Sequence, residues 1–317
     1  MTSANISATA GKPTRQGRTF LFAIATVALW ASAFPAIRVG LTAFSPFHVA
    51  LIRYLVASSV LLVHAILTRM PLPRRADLPA LALAGFGGFA LYNSFLNWGE
   101  VTVPAATASF IVASAPIFMA LFAMRFLREK LRVFGWVGIA ISFLGVSVIA
   151  FSGGAGLRLE PGALLVLIAA LAQSMYSVGQ KPLLKRYTPV QFTSYAIWFG
   201  TLLLLVFTPG VIAELQLAPP DAVTTLLYLG VFPGAIGYIT WASVLSQLPA
   251  STAASFLYMV PAFALVIAWV WLGEVPNAAA IIGGMLIICG VVIVNTLGRH
   301  GNRLNSQQGI NKTAAST

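Results

Sequence analysis

The sequence predicts an all-α integral membrane protein with ten transmembrane helices, arranged as two inverted five-helix repeats. Three observations support this fold class. The composition is strongly apolar, the chain contains ten apolar runs of membrane-spanning length, and its second half repeats the first at an offset of 145 residues.

The composition lacks the polar surface that a water-soluble fold needs. Of the 317 residues, 59% are hydrophobic and 8% are charged, and the mean hydropathy is +0.89, whereas soluble domains carry about 25% charged residues. The net charge of +12 is concentrated in short basic clusters between apolar runs, which indicates membrane orientation and not a nucleic-acid partner. The single cysteine, Cys289, excludes a disulfide framework and a CxxC metal site.

Ten apolar runs are long enough to cross a bilayer, since about 20 residues span it as a helix. In chain order these runs are Phe20–Leu41, Phe47–Leu67, Leu78–Trp98, Ala105–Arg125, Val133–Phe151, Pro161–Gln180, Val190–Val211, Ala222–Val244, Ser251–Leu272 and Ala278–Val294.

The internal repeat consists of residue types that rarely coincide by composition alone. The matching pairs are Gly85/Gly230, Pro104/Pro249, Thr107/Thr252, Pro116/Pro261, Phe118/Phe263, Leu127/Leu272, Glu129/Glu274, Gly138/Gly283 and Gly145/Gly290. Each unit crosses the membrane an odd number of times, so the two units are predicted to be inverted relative to each other, as in many secondary transporters. The predicted segments are a tail (1–19), a first repeat (20–151), a connector (152–160), a second repeat (161–296) and a disordered tail (297–317).

The charges of the loops predict the orientation. Sixteen of the 19 basic residues fall on one face, in clusters around Arg15, Arg74, Arg128, Lys185 and Arg303. Five of the seven acids fall on the opposite face. The positive-inside rule therefore places both termini in the cytoplasm. The N-terminal run lacks a small-residue cleavage site and is interpreted as a retained first crossing.

Several motifs resemble a known family. Residues 29–38, followed by Ser45-Pro46 and Arg53-Tyr54, are similar to the first two helices of EamA-type members of the drug/metabolite transporter superfamily. In the fourth and ninth runs a proline precedes an exit glutamate, Glu129 or Glu274, as in that family. The resemblance implies a secondary transporter whose cavity is lined mainly by helices one, three, four, six, eight and nine.

Polar and aromatic residues in the middle of those helices are the candidate substrate-binding groups, because polar groups facing hydrocarbon are costly. Tyrosine and tryptophan offer flat apolar faces with a polar handle, and asparagine and glutamine each offer a donor and an acceptor. Interfacial belts and hydrogen bonds between helices are the alternative roles for such residues. The candidates are Trp30, Ser32, Tyr92, Asn93, Asn97, Gln173, Tyr176, Tyr238, Trp241 and Tyr258.

Pro116 and Pro261 occupy equivalent positions within predicted helices. A proline removes a backbone hydrogen bond and clashes with the carbonyl four residues earlier, so Val112 and Leu257 should have freed carbonyls. Either a static kink that shapes the cavity or a pair of hinges would follow.

Arg53 and Glu100 are the charged candidates near the cavity. Arg53 is the only basic residue well inside a crossing, and it could attract a carboxylate, pair with Glu100 or extend to the interface. Glu100, just after the third crossing, is the nearest candidate for proton coupling. His48 and His64 stand alone in the sequence and make no metal site, and no cofactor motif is present.

These features predict a secondary transporter of the bacterial inner membrane that exports small metabolites, such as amino acids or related amphipathic compounds. The expected partners are a small-molecule substrate and the lipid bilayer, without nucleic acid, and the carrier is expected to function as a monomer. An importer of another small solute, or a non-transporting membrane sensor or assembly factor, is the alternative. An enzyme is not expected, because the crossings contain no acid pair or histidine cluster.

Overall fold

The computed structural model describes residues 15–127, 132–150, 160–248, 253 and 256–297, and this part of the chain contains helices and no strand. The predicted helical class is therefore confirmed. Most of both predicted tails, most of the connector and the repeat residue Glu129 lie outside the described residues.

The helices of the first half begin with two long ones and continue with shorter pieces. The bounds are Arg15–Gly40 (α1), Pro46–Leu67 (α2), Leu78–Gly85 (α3), Tyr92–Gly99 (α4), Ala105–Val112 (α5), Ala115–Leu127 (α6) and Val133–Ala150 (α7). Six residues of π-helix, Phe86–Leu91, join α3 to α4 in one continuous helical rod.

The second half follows the same order. Its helices are Pro161–Leu183 (α8), Pro189–Leu204 (α9), Val211–Leu217 (α10), Pro220–Leu229 (α11), Gly237–Gln247 (α12), Val260–Leu272 (α13) and Ala278–Thr296 (α14). A π-helical segment, Gly230–Ile236, joins α11 to α12. Adding the 145-residue offset to the first π segment, Phe86–Leu91, gives residues 231–236, which lie within the second π segment. The two π segments therefore occupy equivalent positions of the repeat.

Within the described ranges, six helical rods are long and apolar enough to cross a membrane, and four shorter apolar helices accompany them. Large apolar side chains such as Ile66, Val206, Val270 and Met285 are more than 60% exposed on the outside of the bundle, as expected of a surface in contact with lipid. These findings support a multi-pass membrane protein, while ten complete crossings remain a prediction.

The fourth and ninth predicted crossings are not continuous helices. The fourth crossing breaks at a turn between α5 and α6, just before Pro116. The ninth crossing breaks at residues 258–259, just before Pro261. Each proline therefore lies in the first turn of a helix, where its missing N–H costs nothing. The kink predicted within a helix is instead a helix break, present at equivalent positions of both halves.

The α7 and α14 helices form an extensive contact between the two halves. A Cβ atom on Gly138 would lie 2.6 Å from the Gly290 carbonyl oxygen, and one on Gly283 would lie 2.6 Å from the Gly145 carbonyl oxygen. Only glycine permits this close approach. Gly138 and Gly283 are repeat equivalents, as are Gly145 and Gly290, so the contact is the same when the two helices are exchanged.

This contact also gives the direction of the local symmetry. Since Gly138 faces Gly290 and Gly145 faces Gly283, α7 and α14 run antiparallel. At the midpoint the Ser142 hydroxyl donates to the carbonyl oxygen of its own repeat equivalent, Ile287, at 3.0 Å. A two-fold axis perpendicular to both helices passes through this point, which is the geometry that an inverted repeat requires.

Candidate functional site

A cavity of about 680 Å³ lies between the two halves. Its walls come from α1, α2, α4, α8 and α12 and from both broken segments. The lining residues are Trp30, Ala33, Phe34, Ile37, Arg53, Tyr92, Leu96, Ser109, Val112, Ala113, Ala115, Pro116, Gln173, Tyr238, Leu257, Tyr258, Val260 and Pro261. The cavity is partly open to its surroundings, and the 680 Å³ includes that open part.

Many of the residues predicted from the sequence line this cavity. They are Trp30, Arg53, Tyr92, Pro116, Gln173, Tyr238, Tyr258 and Pro261. The other candidates, Ser32, Asn93, Asn97, Tyr176, Trp241 and Glu100, lie behind the wall and are buried.

The polar candidates behind the wall hold helices together or position a lining residue. The Ser32 hydroxyl lies 2.6 Å from the Tyr228 hydroxyl, and the Asn97 amide nitrogen donates to the Pro46 carbonyl oxygen at 3.0 Å. The Asn93 amide nitrogen donates to the Phe89 carbonyl oxygen at 3.0 Å, which leaves its oxygen to accept from Arg53.

An aromatic wall closes one side of the cavity. The Trp30 ring lies 5.0 Å from the Tyr238 ring and 5.5 Å from the Trp241 ring, measured between centroids. Phe89 supports this wall from behind, with its ring 4.7 Å from Tyr238 and 5.2 Å from Tyr176. The role of Phe89 is not predictable from the sequence, because a phenylalanine in an apolar run carries no distinguishing signal.

A glycine permits the position of Trp30. A Cβ atom on Gly237 would lie 2.9 Å from Trp30 Nε1, so the tryptophan reaches the cavity only because this residue of α12 has no side chain. Gly237, the first residue of α12, thereby determines how closely Trp30 of the other half can pack against that helix.

Arg53 is the buried cation of the cavity. It is 2% exposed, and its Nη1 donates to the Asn93 side-chain oxygen at 3.0 Å. Arg53 therefore hydrogen-bonds to a neutral amide. An ion pair with Glu100 was one of the alternatives expected from the sequence. None of the ion pairs among the described residues involves Arg53.

Three polar atoms of the lining residues are buried without a hydrogen-bond partner among the residues described. Two are donors, Arg53 Nε and Trp30 Nε1, and one is an acceptor, Gln173 Oε1. Buried polar atoms are usually paired, so orphaned atoms around one cavity indicate groups that a ligand can satisfy.

An ion pair lies next to the lining residue Ile37, on the side of the cavity that the charge pattern predicts to be external. Arg38 Nε lies 3.2 Å from Glu274 Oε1, and the second oxygen of Glu274 accepts from the backbone N–H of Ala105, the first residue of α5, at 2.9 Å. We call this the Arg38–Glu274 closure. It joins α1 to the segment after α13 and to the start of α5.

Glu100 lies beside this closure. Arg38 Nη1 donates to the Glu100 backbone oxygen at 2.6 Å, while the Glu100 side chain is fully buried. Glu100 is the first residue beyond the Arg75–Gly99 span. Burial raises the pKa of its carboxyl well above the usual range, against the opposing effects of the Arg38 and Arg53 guanidinium groups.

The expectation that His48 stands alone is wrong. Its Nδ1 lies 2.6 Å from Glu214 Oε2, and the same carboxylate oxygen accepts from the Ser45 backbone N–H. The partners are 166 residues apart in sequence, so no spacing rule could have paired them. The described residues hold no group of three or more potential metal ligands from His, Cys, Asp and Glu.

The family comparison matches both halves of the chain. The model described as the EamA-like transporter family matches residues 17–151 and, separately, residues 160–296. Together these ranges cover most of the sequence.

Curated bacterial relatives cover nearly the whole chain. One, the "Uncharacterized transporter YdfC" of Bacillus subtilis, is 44% identical over 265 residues, which are 84% of this chain and 87% of that protein. Another, the "Probable terminal-alkyne amino-acid exporter" of Streptantibioticus cattleyicolor, is also 44% identical, over 87% of this chain and 93% of its own length.

A solved crystal structure shares the fold. It is 20% identical and superposes with a TM-score of 0.60 over 90% of this chain and 98% of its own length. At this identity the likeness concerns the fold alone.

Proposed function

Since this chain belongs to the EamA-like transporter family, and is a transporter rather than an enzyme, we propose that it exports small amphipathic metabolites such as amino acids by alternating access. The observation that carries the proposal is the cavity between the halves, with an aromatic wall and orphaned polar atoms around one space. A solute that satisfies those atoms and covers those rings is small, partly apolar and polar at one end.

The orphaned atoms favour a solute with both a carboxylate and an ammonium group. The guanidinium of Arg53 is a charged donor that binds a carboxylate strongly, and the indole N–H of Trp30 adds a neutral donor. The Gln173 oxygen accepts from an ammonium group, and the Trp30 and Tyr238 rings attract a cation or pack against an apolar side chain.

The direction of transport is proposed from the relatives. One relative at 44% identity over 93% of its length carries the name of a probable amino-acid exporter. The same class of solute and the same direction are proposed for this chain. A strongly anionic cargo such as a sugar phosphate is disfavoured because Arg53 is the only cation among the lining residues.

The antiparallel contact of α7 with α14 supports two inverted repeats and ten crossings. With an inverted repeat, one set of contacts closes the cavity toward one face and its counterpart closes it toward the other. The loop charges support the proposal that both termini lie in the cytoplasm of a bacterium. Because one chain supplies all the walls of the cavity, a functional monomer is proposed.

Counterflow in proteoliposomes tests the proposal. Vesicles that contain the purified protein are loaded with unlabelled propargylglycine, a terminal-alkyne amino acid, and are then diluted into trace labelled propargylglycine. The expected result is transient accumulation of label above that in protein-free vesicles. A panel of other amino acids and organic cations extends the test. No exchange of any member by folded protein would contradict transport of this class and favour a sensor or assembly role.

A further inference from the structure

We propose that Glu100 is the proton-binding group of this carrier and that its protonation controls the Arg38–Glu274 closure. This inference rests on the proposed function. It adds control of the outer end of the cavity by a proton and names the residue that binds it.

The surroundings of the Glu100 side chain suit a neutral acid. The residue is fully buried, and neither carboxyl oxygen has a hydrogen-bond partner within the described ranges. Burying a carboxylate without a partner is far more costly than burying a carboxylic acid. The packed state therefore corresponds to the protonated side chain, and loss of the proton places an uncompensated charge in this position.

The position of Glu100 connects the cavity with the closure. The Glu100 backbone N–H donates to the Leu96 carbonyl oxygen at 2.9 Å, so the carboxyl lies one helical turn beyond a residue that lines the cavity. On the facing helix, Ile37 lines the cavity and Arg38 follows it. A charge on Glu100 thus acts at the outer end of the cavity.

Arg38 has two carboxyl groups within its reach and engages one of them. It pairs with Glu274 through Nε, while its Nη1 contacts only the backbone oxygens of Glu100 and Val101. When Glu100 is neutral, this arrangement keeps the closure intact. When Glu100 is ionised, it competes with Glu274 for the guanidinium, and the contact between α1, the segment after α13 and the start of α5 weakens.

The charged and titratable groups that act on Glu100 lie on its own helix and on three other parts of the chain. They are Arg38 on α1, Arg53 on α2, Tyr92 on its own helix α4, and Glu274 after α13. With Glu100 ionised the two arginines and two glutamates balance, and with Glu100 neutral the group carries one positive charge. Arg53 is part of both this group and the cavity lining, so a carboxylate solute at Arg53 replaces the charge that Glu100 loses on protonation.

The two states of Glu100 therefore correspond to two states of the outer end. The protonated acid leaves Arg38 with Glu274, and the end is closed. The ionised carboxylate draws Arg38 away, and the end opens. Because a carboxylate solute at Arg53 beside an ionised Glu100 would leave one uncompensated negative charge, the solute binds best when Glu100 is protonated and the outer end is closed.

A pair of spin labels across the closure tests the inference without any solute. Labels on Thr42→Cys and Val275→Cys, two exposed positions beyond α1 and Glu274, are introduced in a Cys289→Ser background in reconstituted protein. The expected result is a short distance at acidic pH and a growing longer-distance population as pH rises, with a midpoint above about pH 5, since an ordinary glutamate titrates near 4.3.

Two matched variants identify the titrating group. Glu100→Gln, which mimics the neutral acid, is expected to keep the short distance at every pH. Asp221→Asn, the same change at an exposed position on the same face, is expected to behave like the parent. A parent distance that is independent of pH, or a pH response retained in Glu100→Gln, overturns the inference. If Glu100→Gln does not fold, Glu100→Asp should move the midpoint, and an unchanged midpoint overturns the inference.

The outcomes separate the two proposals. Counterflow of solute without a pH-dependent distance leaves the transporter standing and removes Glu100 as its proton-binding group. A pH-dependent distance that Glu100→Gln abolishes, in a protein that exchanges no solute, keeps the proton switch and contradicts the transport function.

Discussion

At the scale of single residues, Arg53 shows what the sequence can and cannot provide. Its place inside an apolar run predicts a buried cation, because such a charge is costly and must have a partner or a purpose. The partner is Asn93, 40 residues away in sequence, and the apolar run gives no indication of it. The free Nε of Arg53 becomes evident only once the cavity is assembled around it.

The division of the predicted residues between the cavity and the wall behind it has a physical cause. Gln173 and Tyr238 line the cavity, whereas Asn93 and Tyr176 lie behind it. A helix surrounded by other helices and by lipid is apolar on all sides, so its sequence does not show which side faces the cavity. The sequence thus predicts how far along a membrane helix a polar residue lies better than it predicts whether that residue faces the cavity.

The raised pKa of Glu100 predicts a pH-dependent stability. The folded state retains a proton that the unfolded chain releases above its ordinary pKa of about 4.3, so stability falls as pH rises from there toward the raised value. Glu100→Gln has no proton to lose. Thermal unfolding should therefore show Glu100→Gln gaining stability relative to the parent as the pH rises above about 4.3.

A matched exposed substitution controls this measurement. Asp221→Asn should stay within about 0.5 kcal/mol of the parent, as surface substitutions usually do, and the difference should change little with pH. If Glu100→Gln instead becomes relatively less stable as pH rises, Glu100 is stabilised as a carboxylate, and the assignment of a neutral acid is wrong.

At the scale of elements, the departures from regular helix recur in pairs. The breaks before Pro116 and Pro261 and the π segments before Tyr92 and Gly237 occupy equivalent positions of the two halves. Pro116 and Pro261 indicated a departure from regular helix at these positions. A proline in an apolar run does not, however, distinguish a kink within one helix from a break between two helices. The π segments had none, since an apolar run does not reveal which carbonyl each N–H selects.

The glycine contact between α7 and α14 is the element whose disruption is easiest to predict. Gly138→Leu places a side chain against the Gly290 backbone, where even a Cβ would lie 2.6 Å from the carbonyl oxygen. We expect the two helices to separate, with a loss of about 1–3 kcal/mol or more from overpacking. Thermal unfolding in detergent measures the effect.

Gly179→Leu is the control for this substitution. Gly179 also lies within a long helix, α8, but a Cβ atom there meets nothing within 4 Å. This variant should be neutral or slightly stabilising, because leucine favours helix more than glycine does. Equal losses in both variants would show that leucine disturbs these helices without regard to the close contact.

At the scale of the whole molecule, the sequence repeat and the antiparallel α7–α14 contact support each other. The repeat alone predicts two similar units, and an odd number of crossings predicts their inversion. The way each half packs on the other was not predictable: Gly85 contacts α9, and its equivalent Gly230 contacts α2. These contacts join residues more than 100 positions apart, and no local pattern encodes them.

The cavity between the halves is proposed to bind the transported solute, and ligand-dependent thermal unfolding distinguishes binding there from binding elsewhere. A bound solute stabilises the folded state by mass action, by about 2.7 kcal/mol at a hundredfold excess over Kd. Propargylglycine should stabilise the parent protein. It should stabilise Gln216→Ala, a control at an exposed position, to the same extent. Gln173→Ala should need about tenfold more ligand to reach the same stabilisation. Stabilisation that is identical in Gln173→Ala and the parent would contradict the placement of the solute in this cavity.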